Sequence, residues 1–121
     1  MKWYKVCSGS CGASFEPPGQ RTAASSPENG WGNASTSEAE DVKDLVRCNY
    51  YRSYVGNMAS NAVANKIDVL GYFAWSIMTY VDFETQVRTP KLSMRWFKSV
   101  TSLKELPAGG VDALPKCEDF L

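Results

Sequence analysis

Residues 71–77 read Gly-Tyr-Phe-Ala-Trp-Ser-Ile, a run that is almost entirely apolar or aromatic and contains no charge. A run this short and this apolar is typical of a strand buried on both faces, as in parallel sheets covered by helices. With the preceding apolar residues it predicts a strand over residues 68–77. Trp75 stands near its downstream end. It is either a core side chain, since tryptophan buries a large area wherever it lies, or part of a binding site at the carboxyl ends of parallel strands.

The composition of the 121-residue chain limits its size class and its partners. One domain fits this length, but a closed eightfold α/β barrel needs about twice as many residues. Acidic and basic residues balance at 13 each, so no net charge favours nucleic acid or a membrane surface as a partner. The absence of histidine excludes histidine-based catalysis and histidine metal ligands. We therefore predict no metal, no cofactor, no nucleic acid partner and no membrane association.

Neither a secretory leader nor a membrane helix is predicted. Residues 1–9 lack the run of about seven or more apolar residues found in a signal peptide. No segment approaches the roughly 20 apolar residues of a membrane helix. Asn33-Ala34-Ser35 is an N-glycosylation sequon, which would be used if the parent protein were secreted. The compartment and the oligomeric state stay open.

The four cysteines, Cys7, Cys11, Cys48 and Cys117, are scattered along the chain. Only the first two are close, in a Cys-x-x-x-Cys spacing. Zinc binding and a disulfide are both compatible with that spacing, but a zinc site would need a second pair of ligands. We predict free thiols.

Three regions follow from the pattern of chain breakers and apolar residues. Residues 1–36 are rich in Ser, Gly, Pro and Ala and contain few large apolar side chains, so they are predicted to be irregular or disordered. Residues 37–106 are predicted to form a helix, a buried strand and a second helix, which is an α/β arrangement. Residues 107–121 show no periodicity and are predicted to form a loose tail.

The first helix has a clear start signal. Ser37 and Glu40 stand in capping-box spacing before a pattern of apolar residues at three- and four-residue steps. The pattern predicts an amphipathic helix over residues 38–64, weakened at Gly56.

The second helix follows an alternating segment. Residues 79–88 alternate apolar and polar side chains, which suits an extended segment or a hairpin. Thr89 is then predicted as an N-cap and Pro90 as the first helical residue, where a missing N–H costs little. The helix is predicted to end before Pro107.

Four motifs occur in one order along residues 27–104. They are Glu-Asn-Gly at 28–30, a helix with Asp44, Arg47, Tyr50 and Tyr54, Val-Leu-Gly-Tyr-Phe-Ala-Trp-Ser at 69–76, and Arg-Thr-Pro-Lys-Leu-Ser-Met-Arg-Trp-Phe at 88–97. Together they closely resemble the C-terminal quarter of glycoside hydrolase family 1, which contains β-glucosidases, β-galactosidases and myrosinases. The resemblance implies a fragment of a (β/α)8 TIM barrel that includes its seventh helix, eighth strand and eighth helix.

The resemblance also implies site residues. Glu28 matches the family's catalytic nucleophile, and Trp75 matches the tryptophan of the eighth strand that stacks on the sugar. In retaining hydrolysis the nucleophile attacks the anomeric carbon, while a second carboxyl group about 5 Å away protonates the leaving oxygen and later activates water. The implied substrate is a β-glycoside of carbohydrate metabolism. The Arg-x-Pro-Lys-x-Ser segment at 88–93 matches a structural segment that opens the eighth helix.

Departures from the family pattern bear on activity. The family's acid/base lies in an Asn-Glu-Pro motif, which does not occur here. Phe15-Glu16-Pro17 has the wrong first residue and lies close before Glu28. The family's Asp-Asn-Phe-Glu-Trp loop, which binds sugar hydroxyls, is also missing after residue 78. Pro27 removes a ladder donor, so Glu28 is predicted to lack the support of a regular strand.

These features predict a catalytically incompetent fragment of a retaining β-glycosidase that keeps the nucleophile and lacks the acid/base. Several alternatives stay open, among them a glycosidase that is active by itself or by joining missing parts, and a fragment with no function of its own. The others are a non-catalytic remnant that docks onto another protein through apolar surface, a carbohydrate-binding remnant that uses Trp75 and Trp31, and the product of a misassembled gene model. The sequence leaves the sugar preference open.

Overall fold

The computed structural model describes residues 23–32, 34–75 and 78–121, with residues 23–28 described by their backbone alone. The strands are β1 (Ala23–Gly30), β2 (Asp68–Trp75), β3 (Thr79–Val81) and β4 (Arg88–Pro90), and the α-helices are α1 (Glu38–Val42), α2 (Leu45–Ala64) and α3 (Leu92–Thr101). Two 3-10 turns, Gly110–Ala113 and Cys117–Phe120, follow α3. The predicted α/β class is confirmed. The described residues form a small fragment and do not close a barrel.

β1 and β2 form a two-stranded parallel sheet with an irregular ladder. In the first irregularity, Leu70 of β2 has no paired residue in β1. In the second, two residues of β1, Pro27 and Glu28, lie opposite one residue of β2. Pro27 has no N–H to donate, which explains an interruption at that place. Beyond it the ladder resumes, and Gly30 pairs with Trp75.

β1 corrects the prediction that residues 1–36 are irregular, for the part that the structure describes. Residues 23–30 form a strand although Ala, Pro and Gly are depleted in strands. Strand formation depends on pairing and packing as much as on local preference, and the ladder with β2 supplies the pairing. Residues 1–22 lie outside the described residues, and so does Asn33 of the sequon; Cys7 and Cys11 belong to the first of these segments.

The predicted first helix is present as two helices, α1 and α2, with a break at Lys43 and Asp44. Ser37 is the N-cap as predicted, and its hydroxyl accepts a hydrogen bond from Glu40 N at 3.3 Å. The reciprocal half of the capping box is not formed. The Glu40 carboxylate instead accepts from the hydroxyl and the N–H of Thr36, at 2.7 and 3.1 Å, and these hydrogen bonds lower the pKa of Glu40.

The break between α1 and α2 has a tertiary cause. The Asp44 carboxylate accepts hydrogen bonds from the backbone N–H and the hydroxyl of Ser93, at 2.8 and 2.6 Å. This pair joins the start of α2 to the first turn of α3, and Asp44 leaves helical geometry, with φ −59° and ψ 57°. At Gly56, where weakening was predicted, α2 continues without a break.

β3 and β4 form an antiparallel hairpin, which agrees with the extended segment predicted over residues 79–88. The start of α3 differs from the prediction, because Thr89 and Pro90 belong to β4 and Lys91 is the N-cap. Lys91 is buried, and its Nζ lies 2.6 Å from the Asp41 carboxylate. An ion pair with α1, rather than a local capping signal, therefore sets this position.

The core lies between α2, α3 and the C-terminal residues. Its largest fully buried side chains are Trp96, Tyr51, Leu92, Val55 and Val100. β2 adds Tyr72 and part of Ala74, whereas Leu70, Phe73 and Trp75 are exposed. The prediction of a strand buried on both faces is wrong, because the core covers the face that carries Tyr72 and no described element covers the side chains of the other face.

Residues 107–121 are ordered, which corrects the predicted loose tail. Their two 3-10 turns pack against α2 and α3, and Leu114 and Cys117 are buried. Cys117 forms a disulfide with Cys48 of α2, with a Cα–Cα distance of 6.0 Å. The prediction of free thiols is wrong for this pair, since 69 residues separate the two cysteines and their spacing carries no signal.

Candidate active site

The parallel sheet brings together the two strand ends that carry the predicted site residues. Glu28 lies near the end of β1, and Trp75 ends β2. Gly30 pairs with Trp75, and a Cβ at Gly30 would lie 2.9 Å from the Trp75 Cβ and overlap its carbonyl oxygen. The carboxylate of Glu28 lies outside the described side chains. The backbones of both residues thus lie at the carboxyl-terminal ends of two paired strands, which is where parallel sheets place binding groups.

Trp75 combines an open side chain with an anchored backbone. The residue is 61% exposed, so its interpretation as a core side chain is wrong. From the helical side, the Tyr51 hydroxyl donates to the Trp75 carbonyl at 2.5 Å. Tyr51 is fully buried, and this burial raises the pKa of its phenol. An exposed indole on a fixed backbone can offer its flat face to the apolar C–H face of a sugar ring.

Asn29, next to Glu28, is held by a tyrosine of β2. The Tyr72 hydroxyl donates to Asn29 Oδ1 at 2.9 Å. Burial, and then the neighbouring tyrosines, raise the pKa of the Tyr72 phenol. The phenol therefore stays protonated and remains a donor to Asn29 across the neutral pH range.

An aromatic cluster follows the Glu-Asn-Gly segment. The ring centroids of Trp31 and Tyr50 lie 5.5 Å apart, and those of Tyr50 and Tyr54 lie 4.4 Å apart. Arg47 Nε donates to the Trp31 carbonyl at 2.9 Å. The chain is thereby tied to α2 directly after β1, so contacts on the C-terminal side of Glu28 fix the path of the backbone.

An open groove of about 390 Å³ lies between β3 and α3. It is lined by Met78, Thr79, Met94, Phe97, Lys98 and Thr101.

Among the described residues, no three His, Cys, Asp or Glu side chains cluster so that they could hold a metal ion. Over the same described ranges, no helix combines the length and the apolar character that crossing a membrane requires.

Sequence comparison identifies the family to which these motifs belong. The profile of Glycosyl hydrolase family 1 matches residues 24–106. The chain belongs to this family. Family 1 membership agrees with the resemblance of the four motifs and with the strand–helix–strand order of β1, α2 and β2.

Relatives within family 1 include bacterial and plant proteins. The chain is 37% identical over 94 residues to the 6-phospho-beta-galactosidase of Leptotrichia buccalis, a match that covers 65% of this chain and 20% of that protein. It is 36% identical over 96 residues to Beta-glucosidase 26 of Oryza sativa subsp. japonica, covering 64% of this chain and 18% of that protein. The chain thus spans about a fifth of the length of these relatives. Comparison with solved structures gives no significant match.

The family 1 segment at residues 88–93 links the start of α3 to α1 and to the start of α2. Lys91 pairs with Asp41 of α1, and Ser93 donates twice to Asp44 at the start of α2. These contacts set the position of α3 and agree with the structural role that the resemblance implies for this segment.

Tyr51, Tyr72 and Arg47 hold the family 1 strand ends in place, a role that no sequence motif predicted. Two of them are tyrosines within apolar patterns and look like ordinary core residues. The available signal was chemical, because a buried tyrosine hydroxyl needs a polar partner. Here those partners are the Trp75 carbonyl and the Asn29 amide oxygen.

Proposed function

We propose that this chain carries the nucleophile portion of a retaining β-glycosidase, with Glu28 as nucleophile and Trp75 as sugar platform. The observation that carries the proposal is the parallel pairing of β1 and β2, in which Gly30 lies opposite Trp75. A carboxylate near the end of one strand could attack the anomeric carbon of a sugar, while an indole at the end of the neighbouring strand stacks on the sugar ring. The names of the relatives support a β-glycoside as the substrate class.

The chain by itself is proposed to be catalytically incompetent. Retaining hydrolysis needs two carboxyl groups about 5 Å apart, and the Asn-Glu-Pro motif of the family does not occur in this sequence. Loss of one member of a catalytic unit costs orders of magnitude in rate. The exposed side chains of Leu70 and Phe73 support the same proposal, because the interior of a closed barrel is filled with packed side chains.

Hydrolysis of a chromogenic aryl β-glucoside by the purified chain tests this incompetence. We expect the unmodified chain and Glu28→Gln to release the aryl alcohol at the same rate as buffer. Turnover that Glu28→Gln abolishes would refute incompetence and support the assignment of Glu28.

The role of Glu28 is tested in a chimera. Residues 24–106 replace the matching part of the rice Beta-glucosidase 26, whose own loop after the eighth strand is kept. Glu28→Gln is expected to lower kcat by about 1,000-fold or more, whereas Glu38→Gln, at an exposed carboxylate of α1, leaves it unchanged. Azide should restore part of the rate of Glu28→Ala, because a small anion can attack in place of the carboxylate. A Glu28→Gln chimera as fast as its parent would exclude Glu28 as nucleophile.

A further inference from the structure

We propose that residues 107–121 form a redox-sensitive strap that the Cys48–Cys117 disulfide locks to α2, and that the lock can be reduced only after Arg52 and Trp96 release the strap. The strap lies outside the residues matched by the family 1 profile. The proposal therefore does not depend on the proposed glycosidase function.

Side-chain hydrogen bonds from two helices hold the strap. Arg52 of α2 donates from Nε to the Pro115 carbonyl at 3.1 Å and from Nη2 to the Val111 carbonyl at 2.9 Å. Trp96 of α3 donates from Nε1 to the same Pro115 carbonyl at 2.9 Å. Charged donors make stronger hydrogen bonds than neutral ones. Arg52 thus holds the strap on both sides of Leu114.

The strap also packs closely against α2. A Cβ at Gly56 would lie 2.6 Å from the Val111 Cα, and a Cβ at Gly110 would lie 3.2 Å from the Ser60 Oγ. Gly110 has a φ of 68°, a conformation that side chains other than glycine rarely adopt. Leu114 belongs to the buried core. The strap therefore completes the core, and its removal would expose apolar surface of both helices.

The disulfide is protected by this packing. Cys48 and Cys117 are both fully buried, and reduction requires a thiolate to attack one of the two sulfur atoms directly. A small thiol reaches a buried sulfur only when the surrounding structure opens locally. Detachment of the strap must therefore precede reduction, and the contacts that hold the strap control the rate.

The chemical step is an ordinary thiol–disulfide exchange with a small dithiol as reductant. Its thiolate attacks one sulfur and forms a mixed disulfide, and its second thiol then displaces the protein sulfur. The protein disulfide gains two electrons and two protons and becomes the thiols of Cys48 and Cys117, while the dithiol is oxidised to its own disulfide. Such bonds persist in oxidising compartments and are rare in reducing ones, so the strap reports the redox state of its surroundings.

Disulfide mapping of the unreduced full chain tests the pairing without any substitution. The chain is alkylated, digested and analysed by mass spectrometry. We expect a peptide pair linked through Cys48 and Cys117, with the same result in Cys7→Ser/Cys11→Ser. A link from either residue to Cys7 or Cys11, or free alkylated thiols at both positions, would overturn the proposal.

The rate of reduction by dithiothreitol tests the order of events. Arg52→Ala removes two of the contacts without touching the cysteines and is expected to speed reduction about tenfold or more. Arg52→Lys keeps the positive charge but lacks the guanidinium group that donates to two carbonyls, and it should give an intermediate rate of reduction. Arg88→Ala, at an exposed residue of β4, is the matched control and should leave the rate unchanged. Equal rates for Arg52→Ala and the unmodified chain would overturn the role of Arg52.

Thermal unfolding tests whether the strap matters to the whole chain. We expect Tm to fall by about 15 °C or more on reduction, because a long loop is no longer closed in the unfolded state. Cys48→Ser/Cys117→Ser should melt near the reduced chain and show no response to reductant. An unmodified chain with the same Tm in both redox states would overturn the proposal.

Discussion

Trp96 and Trp75 stand in two regions of opposite character. Trp96 of α3 is fully buried, and its indole N–H donates to the Pro115 carbonyl of the strap. Trp75 is largely exposed at the end of β2, and its backbone is held by the pairing with Gly30 and by the Tyr51 hydroxyl. The helical side, made of α2, α3 and the strap, has a complete core, whereas the sheet side, made of β1 and β2, leaves apolar side chains open. We therefore expect the helical side to provide most of the stability, whereas the proposed chemistry lies on the sheet side.

The two tryptophans give the sharpest test of this difference. Trp96→Ala should destabilise the chain by about 4 kcal/mol, because it leaves a large cavity and removes the donor to Pro115. Trp75→Ala should change the free energy of unfolding by no more than about 0.5 kcal/mol, as is usual for an exposed position. Urea unfolding followed by circular dichroism measures both values. Similar losses from the two substitutions would contradict a stability concentrated in the helical side.

Asp44 should have the next largest effect, because it connects α2 with α3 through two hydrogen bonds to Ser93. Asp44→Ala is expected to cost about 3 kcal/mol, as for hydrogen bonds to a charged group. Asp44→Asn keeps a partner for Ser93 and should cost roughly half as much. The same urea titration applies, with Asp112→Ala at an exposed carboxylate as control. A neutral Asp44→Ala would show that the helices do not need this link.

Gly56 tests how closely the strap contacts α2. In an isolated helix Gly→Ala gains about 1 kcal/mol, but here the new Cβ would meet the Val111 backbone. We expect Gly56→Ala to destabilise the oxidised chain by about 2 kcal/mol. Ser53→Ala, at an exposed position of the same helix, should be neutral or slightly stabilising. A stabilising Gly56→Ala would mean that the strap does not lie against the helix.

Tyr72 tests the contact between the sheet side and the core. Tyr72→Phe removes the hydrogen bond to Asn29 and should cost about 1 kcal/mol at pH 7. Burial raises the pKa of Tyr72 above the value near 10 of an unfolded tyrosine. Its protonated form therefore supports the fold fully below pH 10, and this support is lost as the pH rises further.

The pH dependence of this variant is a separate measurement. Urea midpoints recorded between pH 7 and 11 should fall above pH 10 in the unmodified chain and fall less steeply in Tyr72→Phe. An unchanged alkaline slope would show that Tyr72 does not lose its proton more readily on unfolding.

Elements with local signals were predictable from the sequence, and elements set by distant contacts were not. The apolar run of β2 and the N-cap at Ser37 need only their neighbours, and both were placed. β1 exists because β2 pairs with it, and the break before α2 exists because Asp44 reaches Ser93. The strap has no periodicity at all, since a disulfide and side-chain donors from two helices hold it.

The candidate site shows the same division. Glu28 and Trp75 came from the resemblance of motifs, because no periodicity distinguishes a catalytic carboxylate from any other. Their juxtaposition through Gly30 required the parallel ladder, and the supporting hydroxyls of Tyr51 and Tyr72 required the packing of a helix and a strand on each other. A buried tyrosine hydroxyl indicates that a hydrogen-bond partner is present, but the sequence does not identify that partner.

Gly30 limits which substitutions the Glu-Asn-Gly tripeptide of this chain can accept. At Glu28 the proposed requirement is chemical, at Asn29 it is a hydrogen bond to Tyr72, and at Gly30 it is purely spatial, because any side chain would push away the strand end that carries Trp75. A substitution at each of these three adjacent positions would thus remove a different property. A substitution at Gly30 would therefore leave the proposed nucleophile in the sequence and still push the end of β2 away from β1.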